Sequence, residues 1–185
     1  MSTGNSKRVT TEYRGHTIVA AVMNAVPQAA IFLGKTRLDI IGGKSIDDAT
    51  QKGREWIDQT LAERAATRTR ANIGSVDEYG AFLQGFQLRD HEIKMLRANA
   101  MGMKSASELA AAAGWSDYSS ANLHYGKLGR EIGEALGLTF EQTNDGRDFY
   151  TSAIAQEHAQ PNGTTDWAFE LHPEFLDALR RHKIV

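Results

Sequence analysis

The stretch from Ser119 to Leu138, SSANLHYGKLGREIGEALGL, restricts the fold more than any other part of this chain. Its apolar residues Ala121, Tyr125, Leu128, Ile132 and Ala135 recur at the 3.6-residue spacing of a helix, and Ser120, Asn122, Lys127, Arg130 and Glu134 fall largely on the opposite side. One side is a seam for a core; the other is a row of hydrogen-bonding groups. Gly126, Gly129 and Gly133 each cost a helix up to about 1 kcal/mol relative to alanine. That cost predicts a close approach to a neighbouring helix or to a ligand.

The neighbouring segments extend the pattern. Ser105-Ala-Ser-Glu108 fits a capping box opening a short helix, and Gly114 is placed to stop it. A short helix, a turn and a longer helix with polar exposure predict a helix-turn-helix, whose second helix suits a DNA major groove. Phe149 to His158 and Asp166 to His172 read as strands, with Gln160-Pro-Asn-Gly163 as the turn of a hairpin between them. Pro173 opens a last helix, and Asp90 to Ala100 forms an earlier amphipathic one with Ile93, Leu96 and Ala100 inward. Helix, helix, helix, hairpin is the order of a winged helix-turn-helix domain.

Particular residues carry a family likeness. The string Ala121-Asn-Leu-His-Tyr-Gly-Lys-Leu-Gly129, then Trp167, then Leu171-His-Pro-Glu174 and Ala178-Leu-Arg180 resemble the winged-helix module appended to bacterial HNH-type restriction endonucleases. The resemblance spans roughly residues 88–185, about half the chain. It implies a DNA-reading attachment, in some members for modified DNA. The matching positions are Asn122, Tyr125, Gly126, Leu128, Gly129, Trp167 and Pro173; Leu128 and Trp167 are expected to fill core and the glycines to permit close packing. An HNH nuclease needs clustered histidines and an asparagine around a metal, whereas His16, His91, His124, His158, His172 and His182 are scattered. The resemblance therefore implies the reading module without the nuclease.

A smaller module precedes it. His16 to Met23, Ala29 to Leu33 and Thr36 to Ile41 read as strands, with Gly34-Lys35 as a tight turn. Ser45 then caps a helix whose stripe is Ile46, Ala49, Gly53, Trp56, Ile57 and Leu61. The expected architecture is α+β: a β-β-β-α module over residues 1–70, then a winged helix-turn-helix over 75–185. Three strands leave edges that need cover, which makes homodimerisation through an edge strand a candidate role for the module. Arg64, Arg68 and Arg70 in the junction read either as a solvated helix end or as a phosphate-contacting arm.

Charge opposes a simple DNA-binding account. Residues 1–72 hold 11 basic and 7 acidic side chains, while 73–185 hold 10 and 16, so the winged-helix half carries a net −6. Phosphate neutralisation supplies most non-specific DNA affinity, so the few bases must gather on one face. Lys104, Lys127, Arg130 and Arg147 are the candidates. Asn122 and His124 are placed to read base edges, and Ser119 and Ser120 to hold phosphates at the helix start.

Two readings follow. One is a non-enzymatic binder of double-stranded DNA; the other is a protein-interaction winged helix whose acidic surface meets a basic partner, as in a mobile-element inhibitor of a host nuclease or CRISPR complex. Catalysis has little support. Glu92-Ile-Lys94 has the E-x-K spacing of a metal nuclease but lies in a helical pattern, and Gly42-Gly-Lys-Ser45 lacks the earlier glycine of a P-loop. No cofactor or metal is expected. The polar amino terminus lacks the apolar core of a signal peptide, no apolar run is long enough to span a membrane, and the absence of cysteine fits a cytoplasmic protein.

Overall fold

The computed structural model describes residues 8–159 and 167–185. The chain divides into two compact units, 1–67 and 68–185. Its class is α+β: a four-stranded antiparallel sheet followed by six helices among the described residues.

The first unit is a meander in sheet order β1-β2-β3-β4, formed by β1 (Val9–Tyr13), β2 (His16–Met23), β3 (Val26–Leu33) and β4 (Thr36–Gly42), and α1 (Ile46–Thr67) follows. Two hairpin turns place both central residues at positive φ, Arg14 and Gly15 at 47° and 69°, Asn24 and Ala25 at 51° and 64°. That is the conformation type I′ turns require to match strand twist. Alternation along β2 and β3 sends Ile18, Ala20, Ala29 and Ile31 to one face, all 0% exposed, where they meet Ala49, Ile57 and Leu61 of α1. The Ser45 hydroxyl accepts from the Asp48 N–H at 3.1 Å, and the Asp48 carboxylate accepts from the Lys44 N–H at 2.7 Å. The expected serine cap is therefore in place.

The module has one strand more than expected. Val9–Tyr13 pairs with β2 along its whole length. It was hidden because an edge strand with one wet face reads as polar: Thr10 and Glu12 point out, while Val9, Thr11 and Tyr13 are half-buried.

The second unit contains α2 (Val76–Gly85), α3 (Asp90–Ala100), β5 (Lys104–Ser105), α4 (Ala106–Ala113), α5 (Tyr118–Leu136), β6 (Glu141–Gln142), β7 (Asp148–Phe149), a 3-10 turn (Tyr150–Ala153), β8 (Ala155–His158), β9 (Ala168–Leu171) and α6 (Pro173–Arg181). β5, β9 and β8 form a three-stranded sheet in that order, and β6 with β7 forms a separate small hairpin. Capping boxes open α2 at Ser75 and α4 at Ser105, and Gly114 ends α4 at φ 86°. Tyr79, Phe82, Leu96, Leu109, Tyr125, Leu128 and Phe175 fill the core, each 0–1% exposed.

Several expectations change here. The segment from Phe149 to His158 is not one strand: Thr151, Ser152, Ala153 and Ile154 turn into the core, and only Ala155–His158 pairs with β9. Trp167 does not fill core; it is 49% exposed. In α3 the inward face is Glu92, Met95, Leu96 and Asn99, with Ile93 and Ala100 only half-buried. The rotation is set by polar partners: Asn99 accepts from the Tyr125 hydroxyl at 2.6 Å and donates to the Phe169 carbonyl at 2.8 Å. The expected turn Gln160–Gly163 lies outside the described residues.

Candidate functional site

α5 is built as its sequence pattern requires. Ala121, Tyr125, Leu128, Ile132 and Ala135 are buried, and Gly137 ends the helix at φ 64°. Two of the three glycines serve close approach. A Cβ at Gly129 would stand 2.3 Å from the Tyr150 carbonyl oxygen, and one at Gly133 would stand 2.2 Å from the Phe140 ring. At Gly126 the nearest atom would be the Thr151 hydroxyl at 4.0 Å, so that position has room.

The opposite face of α5 is open. Ser119, Asn122, Leu123, Lys127, Arg130, Glu131 and Glu134 are exposed, and Ser120 and His124 are half-buried. A shallow groove runs along it, lined by Arg89, His124, Lys127, Arg130, Glu131 and Glu134. His124 is one corner of an aromatic cluster, with its ring centroid 4.9 Å from Trp115 and 4.5 Å from His91. Burial first, then the neighbouring His91, Lys127 and Arg89, push the His124 pKa below its usual value. The ring is therefore neutral near neutral pH; its Nδ1 is buried without a partner, which leaves Nε2 as the nitrogen that can meet a ligand.

The cations of the face are mostly held by acids. Arg130 donates to Glu134 at 2.6 Å and lies 5.3 Å from the centre of the Tyr150 ring, while Arg89 bridges Glu92 at 3.0 Å and Glu131 at 3.3 Å. Lys127 has no ion pair among the described residues. At the amino end of α5 the Asp117 carboxylate accepts from the Ser119 N–H at 2.9 Å and from its hydroxyl at 2.6 Å. Those same bonds hold the Asp117 carboxyl below its usual pKa. An incoming phosphate must displace that carboxylate to reach Ser119, whereas the Ser120 N–H bonds the Asp117 carbonyl at 3.2 Å.

Of the eight residues singled out in the sequence, His124, Lys127 and Arg130 share the groove, and Asn122 stands exposed on the same helix. Lys104 lies on β5, paired with Glu108 at 3.1 Å. Arg147 belongs to the small β6–β7 hairpin and pairs with Asp145 at 2.7 Å; Arg147 and Thr143 bonds pull the Asp145 pKa down to about 2. Arg89 and His91 escaped sequence reasoning because the residues they meet on α5, Glu131 and His124, are 42 and 33 residues further along the chain; Trp115, only nine residues before His124, was missed because the turn that folds it back onto α5 leaves no periodic signal. No family model, curated protein or solved structure matches this chain. Among the described residues no three His, Asp or Glu side chains are grouped to hold a metal ion, and no helix is long and apolar enough to cross a membrane.

Proposed function

We propose that the second unit is a winged helix-turn-helix that binds double-stranded DNA without catalysis, with α5 as the reading helix. The observation that carries this reading is the outward polar face of α5, where His124, Lys127 and Arg130 line a groove and Asn122 is exposed on the same helix. The order α3, β5, α4, α5, β8, β9, interrupted between α5 and β8 by the small β6–β7 hairpin and the 3-10 turn, with β5 and β8 both pairing with β9, supports it. That order sets a two-stranded hairpin after the exposed helix, as the resemblance to restriction-associated modules implies. Asn122 and neutral His124 suit base edges, Lys127 a phosphate, and Arg130 a phosphate once Glu134 is displaced.

Acidic neighbours limit affinity. Each cation that must leave a carboxylate gains less from a phosphate, so binding is weak and steeply salt-dependent. Anisotropy of a labelled duplex across a salt series tests this. Lys127→Ala with Arg130→Ala removes most of the binding and flattens the salt slope by about two phosphate contacts' worth; binding retained in the double variant overturns the reading.

A second reading rests on a different observation. Tyr118 and Leu123, exposed 57% and 56%, put large apolar side chains on the first half of α5, and the exposed acids Glu131 and Glu134 lie two to four turns further along the same helix. Exposed aromatic and apolar anchors on a helix that also carries acids suit a basic protein partner. On that reading the purified protein leaves duplex DNA unshifted at physiological salt, and Leu123→Ala weakens capture of the partner.

A further inference from the structure

The sheet of the first unit has α1 on one face only. Its register arranges the other face in rows that cross all four strands: Thr10, Val19, Ala30 and Ile40 in one, Glu12, Thr17, Phe32 and Arg37 in the next. A sheet with one wet face ordinarily alternates apolar in and polar out. Here the outward positions of the two central strands are Thr17, Val19, Ala21, Gln28, Ala30 and Phe32, more apolar than polar. Val19, Ala30 and Phe32 are half-buried by their neighbours alone, and Ile40 is 44% exposed.

The charges at the ends of the second row are opposite. Glu12 stands on edge strand β1 and Arg37 on edge strand β4. Among the described residues neither has an ion pair; Glu12 accepts only the Thr17 hydroxyl, at 2.9 Å, and nearby Asp39 folds back onto the Ile40 N–H at 2.7 Å. The order β1-β2-β3-β4 is symmetric about the line between β2 and β3.

We propose that this outer face is the docking surface for a second copy of the chain, stacked sheet on sheet about a two-fold axis parallel to the strands between β2 and β3. That axis lays β1 over β4 and β2 over β3. Glu12 then meets Arg37 of the second copy and Arg37 meets Glu12, giving two ion pairs per dimer, while Val19 lies over Ala30 and Thr17 over Phe32. The face is self-complementary in charge, as a two-fold interface must be. Aligned sheets pack about 10 Å apart with strands within about 30°. Four strands at about 4.8 Å and seven residues at about 3.3 Å make a patch of roughly 400 Å² in projection, so the dimer is small and dissociates readily. The register shift between Ile31 and Phe32 bulges β4 and blunts that edge, which disfavours edge-to-edge pairing.

Sedimentation velocity of the full chain over a range of concentrations tests the proposal, with circular dichroism to verify that each variant is folded. The wild-type chain is expected to show a monomer–dimer equilibrium that Ala30→Glu abolishes. Glu12→Arg and Arg37→Glu each raise the dissociation constant about tenfold, because each turns two attractions into repulsions. The two changes together restore the wild-type value to within about twofold, since the swapped charges again face each other. A chain that stays monomeric throughout overturns the proposal. So does a dimer indifferent to Ala30→Glu, which reports edge pairing, or a double variant no better than the single ones.

Discussion

Arg68 and Glu78 form a nearly sealed ion pair, their side chains 3% and 10% exposed. The guanidinium donates to Glu78 at 3.2 Å and to the Gly137 carbonyl at 3.1 Å, and it also reaches the Leu136 carbonyl. One arginine thus caps the carboxyl end of α5 while holding α2, whose own amino end is boxed by Ser75 and Glu78. Burial pushes the Glu78 carboxyl up, but Arg68 and the Ser75 N–H outweigh it and hold the pKa below its usual value. Removing one member of such a pair strands the other charge. Glu78→Ala is expected to cost the second unit about 3–5 kcal/mol in a denaturant titration; a loss under 1 kcal/mol contradicts the sealed pair.

The glycines of α5 divide into two behaviours. Gly129→Ala drives a Cβ into the Tyr150 backbone and is expected to destabilise by about 1–3 kcal/mol or more. Gly126→Ala has space and is expected to gain up to about 1 kcal/mol from helix propensity. Thermal melts of the two variants should shift in opposite directions.

Ala25 holds φ 64° in the second hairpin turn, a conformation that costs a β-carbon-bearing residue about 1–2 kcal/mol. Ala25→Gly relieves that strain and loses part of the gain to the freer unfolded chain, for a net stabilisation of about 0.5–1 kcal/mol. A lowered unfolding midpoint in urea argues against the turn.

Acid acts in two windows. Burial is the first cause lowering the pKa values of His16, His124 and His172 below 6.5. The unfolded chain therefore takes up protons first as pH falls through 6.5, and stability declines until the folded histidines titrate too. Glu78 contributes above pH 4.5, its usual value, and its share disappears as pH falls through its lower folded pKa. Urea midpoints measured from pH 8 to pH 3 should fall in both windows, and Glu78→Gln should shrink the second decline without abolishing it, because Asp48, Glu108, Asp117 and Asp145 are also held below their usual values.

Local chemistry was legible in the sequence, and long-range chemistry was not. The Ser45 and Ser105 caps, the Gly114 stop and the α5 seam are set by residues within a turn or two of each other, and the structure has each of them. Arg68 looked like a solvated or phosphate-seeking cation because its acceptors lie 10 and about 69 residues away. The burial of Asn99 does not show in the sequence for the same reason, since its partners Tyr125 and Phe169 lie 26 and 70 residues away. Trp167 was expected in the core as one of the positions matching the resemblance, and it stands half exposed. On the candidate face, the sequence located the exposed residues of α5 but not the acids that hold Arg130 and Arg89.

The most direct test of the α5 assignment is an amide shift map of the labelled protein titrated with duplex DNA at low salt. The account predicts that the largest changes fall on Ser120, Asn122, His124, Lys127 and Arg130, fade as salt is added, and vanish in Lys127→Ala with Arg130→Ala. Shifts that leave α5 untouched, or that persist undiminished in the double variant, contradict it.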